Sequence, residues 1–181
     1  GAYGLVVDTS GKALSGVRVA SGGMETTSGV DGRFELALTE TGATAFAFEL
    51  AGHVQTWRTV DVIHGWASQI DVTLIAEQMA GSLDAATGGT ITGSRGAAII
   101  VPPGAPVDAS GQPFTGATDV FLTPLDPSIP EELAAYPGNL FGETTGGELG
   151  VLTSIAVLDI TMRSGTEELQ IADGAAIAVT V

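Results

Sequence analysis

Imidazole bases and thiol nucleophiles are scarce in this sequence. His53 and His64 are its only histidines, each beside a glycine, Gly52 and Gly65, and there is no cysteine. Nucleophilic hydrolysis needs a nucleophile, a base and an orienting group within hydrogen-bond reach. No G-x-S-x-G elbow occurs, so both histidines read as turn or loop residues. Lack of cysteine removes disulfides, thiol nucleophiles and thiolate metal sites. No catalytic residue is assigned, and the chain is expected not to be an enzyme.

The acids, 21 Asp and Glu together, offer pairs for glycoside cleavage. Asp8, Asp31, Asp61, Asp71, Asp108 and Asp173, however, fall in turns, at strand ends or at alternating strand positions, where solvated faces and Asx turns account for them. Calcium wants several carboxylate and carbonyl oxygens gathered together. The D-x-D-x-D-G loop is missing and no three acids lie within five residues, so no metal ligand and no cofactor is assigned. A Ca²⁺ site assembled from separate loops would draw on Asp8, Asp31, Asp84, Asp108 or Asp126.

The tryptophans carry the sharper signal. In residues 54–60, Val54 and Val60 share a parity, whereas Trp57 sits with Gln55 and Thr59 on the other face. Trp57 is therefore expected to leave the core face. Trp66 and His64 lie on the following loop and could join it in a patch able to stack on a sugar ring or another protein. The same tryptophans could instead seal an interface between two domains.

Short strands must position these residues. Segments 2–8, 17–20, 24–27, 33–38, 44–51, 54–60 and 69–76 have strand composition and are separated by turn signals such as Gly22-Gly23 and Asp31-Gly32. Seven short strands without a helical period predict a β-sandwich. Residues 77–87 carry no strand pattern and read as a short linker. Beyond them the β-branched run Ala97-Ala98-Ile99-Ile100-Val101 reads as a buried strand, stopped by Pro102-Pro103. Segments 155–162 and 175–181 supply a later strand pair, and 131–143 reads as an insertion-like loop with one helical turn ended by Pro137-Gly138.

Two resemblances follow. Gly4-Leu5-Val6-Val7-Asp8, then Gly11 through Val19 (GKALSGVRV), then Asp31-Gly32-Arg33-Phe34-Glu35-Leu36 resemble the carboxypeptidase regulatory-like family. The resemblance implies a transthyretin-like sandwich of about seven strands over residues 1–76, appended to other proteins and not itself catalytic. Gly88-Gly89, the segment 98–105 (AIIVPPGA) and 119–124 (DVFLTP) resemble the ZU-type β-sandwich of ankyrins and netrin receptors, over residues 88–181. That resemblance implies a structural or protein-interaction unit. Some relatives cleave themselves at His-Phe-Ser or His-Leu-Thr, and neither tripeptide occurs here. Collagen-adhesin B-type domains, of similar topology, join a strand lysine to an asparagine. Here Lys12 is in a turn and the sole asparagine, Asn139, is in the other half, so no such bond is expected.

Charge narrows the partners. With 21 acids against six bases the formal net charge is −15, which repels phosphates and so disfavours nucleic acid and anionic membranes. No apolar run approaches the roughly 20 residues of a membrane-spanning helix. The expectation is two tandem β-sandwiches in a larger exported chain: Val181 falls within a strand pattern, and any export signal was removed or lies outside the sequence that begins at Gly1. Their role would be structural or protein-binding at a cell surface or outside the cell. The alternative is a carbohydrate-binding accessory module using Trp57 and Trp66, its partner a surface glycan.

Overall fold

Period-two burial is clearest in residues 42–49. Thr44, Phe46 and Phe48 are buried on one face, while Ala43 and Ala45 are exposed on the other. The structure, a computed structural model, describes residues 1–39, 41–138, 141–143, 145–151, 154 and 156–181. Its strands are β1 (Ala2–Asp8), β2 (Arg18–Ser21), β3 (Met24–Thr27), β4 (Arg33–Leu36), β5 (Gly42–Glu49), β6 (Thr56–Val62), β7 (Ser68–Gln69) and β8 (Val72–Leu74). There follow β9 (Met79–Asp84), β10 (Gly89–Thr92), β11 (Ala98–Val101), β12 (Pro106–Val107), β13 (Ala117–Leu125) and one short helix, α1 (Pro130–Ala134). The remainder are β14 (Phe141–Glu143), β15 (Leu149–Val151), β16 (Val157–Ser164), β17 (Glu167–Ile171) and β18 (Ala178–Thr180). The protein is all-β in class, and its described residues form two units: Gly1–Ala76 with Asp126–Ile155, and Glu77–Leu125 with Ala156–Val181.

In the first unit the sheet β3-β2-β5-β6 faces the sheet formed by β4, β1, β7 and β8. Val19, Phe46, Phe48 and Val62 from one sheet meet Val6, Phe34, Leu36, Val72 and Leu74 from the other in a single buried cluster. Phe34 and Phe48 meet edge to face, with centroids 5.6 Å apart. Helix α1 and the hairpin β14-β15 count with this unit, although they lie in sequence between two strands of the other. Asn139, weighed above for a cross-link, lies outside the described residues, as does Ile155 at the start of an expected strand.

Turn chemistry differs from expectation at one place. Asp31-Gly32 reads as a two-residue hairpin turn, but β3 and β4 belong to different sheets. Gly32 N–H donates to Gly29 O at 2.9 Å, closing a turn that carries the chain from one sheet to the other. Gly32 has φ +76, and a Cβ there would lie 2.5 Å from Val6 O, so close approach rather than a hairpin requires the glycine. A two-residue hairpin joins β2 to β3 at Gly22-Gly23, where φ is 55 and 78 and Ser21 pairs with Met24.

In the second unit the sheet β12-β17-β16-β13-β9 packs against β10-β11-β18 around Ile99, Val101, Val120, Leu122, Met162 and Leu169. The strandless linker expected over 77–87 is not observed. That segment contains β9, which runs antiparallel to β13 from Asp84↔Ala117 to Met79↔Phe121. Gly81, Ser82 and Asp84 are poor strand formers, so the pairing with the long β13 imposes the conformation.

The same turn occurs once in each unit. Val7-Asp8-Thr9-Ser10-Gly11 and Val107-Asp108-Ala109-Ser110-Gly111 share the pattern V-D-x-S-G. Asp8 Oδ1 accepts from Ser10 N–H, the Ser10 hydroxyl and Lys12 N–H, and Asp108 Oδ1 accepts from Ser110 N–H, the Ser110 hydroxyl and Gln112 N–H. Gly11 and Gly111 close both turns on the aspartate carbonyl at 2.9 Å.

Candidate functional site

Strand β6 carries Trp57 outward and Arg58 inward because successive side chains alternate. Trp57 is 44 % exposed on the outer face, directly across from Ala47 of β5. It lines a cleft with Arg18, Ala20, Met24, Glu25 and Ala47. Trp66, 74 % exposed, and His64 instead line a separate cleft of about 510 Å³ with Leu36, Leu38, Val62 and Ile63. Between Trp57 and Val62 the strand rises roughly 17 Å, and Trp66 lies beyond it. The structure thus brings His64 and Trp66 together and places Trp57 in another cleft.

Arg58 is the residue that parity should have flagged. It shares the inner face with the buried Thr56 and Val62. A cation there needs acceptors. Its Nη1 donates to Tyr136 O at 3.0 Å, Gly138 O at 3.1 Å, Trp57 O at 2.8 Å and Thr56 Oγ1 at 2.8 Å, and its Nη2 donates to Ala134 O at 2.8 Å. Ala134 ends α1, so the guanidinium serves carbonyls at and beyond a helix C-terminus that has no basic residue of its own. Burial lowers the Arg58 pKa from its ordinary value. A cavity of about 570 Å³ borders this clamp, lined by Leu5, Val7, Asp71, Thr73, Leu133 and Tyr136 among others.

In the second unit Arg163 is held differently. It forms a bidentate pair with Glu77, whose side chain is 3 % exposed, and lies over the Phe121 ring at 5.2 Å. The bond to Glu77 raises the Arg163 pKa. Nearby Asp159 is pushed up, chiefly by burial and further by the charges of Glu77 and Glu168, against the lowering effects of the Thr161 hydrogen bond and Arg163.

The aspartates weighed for calcium are occupied with turns. The Ser10 hydroxyl holds Asp8 below the usual carboxylate range, and Ser110 does the same for Asp108. Asp84 accepts from Ala86 N–H, Asp126 from Ser128 N–H and its hydroxyl, and Asp31 from Arg33 N–H. Among the described residues no three His, Cys, Asp or Glu side chains form a group that could hold a metal ion. His53 pairs across the chain with Ala76, and its Nδ1 lies 3.4 Å from Ala51 O.

No protein-family model matches the chain, so neither family resemblance read from the sequence gains support, and no curated protein matches it. Among solved structures, a streptococcal ancillary pilin is similar at 13 % identity and a TM-score of 0.31, over 64 % of this chain and 57 % of the pilin. Similarity at that level assigns no role to any residue.

Proposed function

We propose that the chain is a non-catalytic structural or protein-contact module of a larger secreted or cell-surface protein. One observation carries this reading: four ionic side chains serve the scaffold, while two large apolar ones stand together in solvent. Asp8 and Asp108 fasten turns, and Arg58 and Arg163 fasten segments distant in sequence. Ile63, at 60 %, and Trp66, at 74 %, project beside the His64 cleft, an arrangement suited to protein contact. The strongly acidic surface fits a soluble extracellular setting. The test is a photo-crosslinking residue at position 66 in the full protein on its own cells, with the turn residue Thr9 as control. Protein adducts at 66 and none at 9 are expected. Adducts at neither position, or substrate turnover by the purified chain, would overturn the proposal.

A second reading, an accessory module that binds carbohydrate, is favoured by the surroundings of Trp57. There an exposed indole shares a cleft with the hydrogen-bonded side chains of Arg18 and Glu25.

A further inference from the structure

The outer face of the β3-β2-β5-β6 sheet carries a cleft of about 380 Å³, within the range of roughly 300–1,000 Å³ usual for small-molecule sites. Strand register sets Glu25, Ala20, Ala47 and Trp57 in one row, each on a different strand. At about 4.8 Å per strand, Trp57 and Glu25 stand roughly 14 Å apart. The alanines between them leave a floor below the height of either wall.

The neighbouring row is polar and fixed. Arg18 Nε donates to Glu25 Oε2 at 2.9 Å, and Arg18 Nη1 to Glu49 Oε2 at 3.0 Å. Gln55 Nε2 donates to Glu49 Oε1 at 2.7 Å. Glu25, Arg18, Glu49 and Gln55 thus form a continuous rail of planar groups, of which Glu25 and Arg18 line the cleft while Glu49 braces Arg18 and Gln55 braces Glu49. Such groups can present two acceptors, or an acceptor and a donor, to adjacent hydroxyls. Because each is already tethered, little side-chain freedom is lost on binding.

The ligand this pairing recognises has an apolar C–H face for the indole and vicinal hydroxyls for the rail. We propose that the Trp57 cleft binds a neutral pyranose ring. Two carboxylates against one guanidinium on the rail, and a chain of net charge −15, disfavour sugar acids and sulfated sugars. The inference rests on the carbohydrate reading above, but confines it to Trp57.

The experiment follows the two indole N–H resonances of the ¹⁵N-labelled chain during titration with methyl glucoside, methyl galactoside, methyl mannoside, N-acetylglucosamine and cellobiose. Glucuronic acid is the charged control. At least one neutral sugar should shift Trp57 with saturation, leave Trp66 in place, and outcompete glucuronic acid. Affinities of the variants are read by titration calorimetry, where Trp57→Ala should weaken binding at least about tenfold, through lost stacking. Trp57→Phe should keep part of it, which separates lost stacking from lost folding, and Trp66→Ala should leave affinity unchanged. Glu25→Gln, at the wall of the cleft, should weaken binding while Trp57 stays in its native environment. Shifts confined to Trp66 and abolished in Trp66→Ala would overturn this site while leaving the carbohydrate reading standing. No shift with any neutral sugar would overturn both.

Discussion

Each unit brings one arginine under cover, and the two are neutralised in opposite ways. Arg163 meets a carboxylate, Glu77, so its charge is answered by a charge. Arg58 meets backbone carbonyls of residues 134, 136 and 138, so its charge is answered by dipoles. The partner of Arg163 can therefore be replaced by mutation, whereas the partners of Arg58 belong to the main chain. The pKa directions follow: the carboxylate raises that of Arg163, and burial without one lowers that of Arg58.

The largest effect should come from breaking the charged pair on one side. Arg163→Met leaves Glu77 buried and uncompensated, and should lose about 3–5 kcal/mol in urea unfolding. The double variant Glu77→Met with Arg163→Met should recover most of that loss, since an apolar pair of similar volume removes the stranded charge. A double variant no better than the single one would break the contrast. Arg58→Met should lose about 2–3 kcal/mol by leaving carbonyls without donors. Its distinctive sign would be faster hydrogen exchange at residues 130–138, with the second unit's strands unaffected.

The smallest effects sharpen the comparison through pH. Asp159 has its folded pKa raised above its unfolded value, so ionising it opposes folding. Stability is therefore greater below the folded pKa and falls as pH rises through it. Asp159→Asn should raise the melting midpoint at pH 7 and make no difference near about pH 2, where both states are protonated. Asp8 and Asp108 have lowered folded pKa values, and their contribution runs the other way: present above the unfolded value of 3.8, lost as pH falls through the folded one. Asp8→Asn and Asp108→Asn should each lower the midpoint at pH 7 and converge with the parent in strong acid. A pH-independent gap in either series would contradict the assignment.

Where local pattern decides structure, the sequence was readable. The alternation Ala43-Thr44-Ala45-Phe46-Ala47-Phe48 is sufficient to orient β5, and parity alone turns Trp57 outward. Where a distant segment decides, it was not. β9 contains glycine, serine and aspartate and becomes a strand through pairing with β13, some forty residues on. Asp31-Gly32 has hairpin chemistry, but its φ serves a change of sheet. Arg58 could have been found by extending to it the parity argument applied to Trp57. Its acceptors, some eighty residues away, have no sequence signal because they are main-chain carbonyls. The V-D-x-S-G repeat was legible in full, and only comparison of residues 7–11 with 107–111 was needed to see it.

The clamp on Arg58 has a consequence for biosynthesis. During translation the first seventy-six residues emerge well before the carbonyls of residues 134–138 that seat this guanidinium. Until those carbonyls leave the ribosome, the hydrogen bonds that seat this guanidinium cannot form, so this unit is completed by a late-arriving stretch of the same polypeptide.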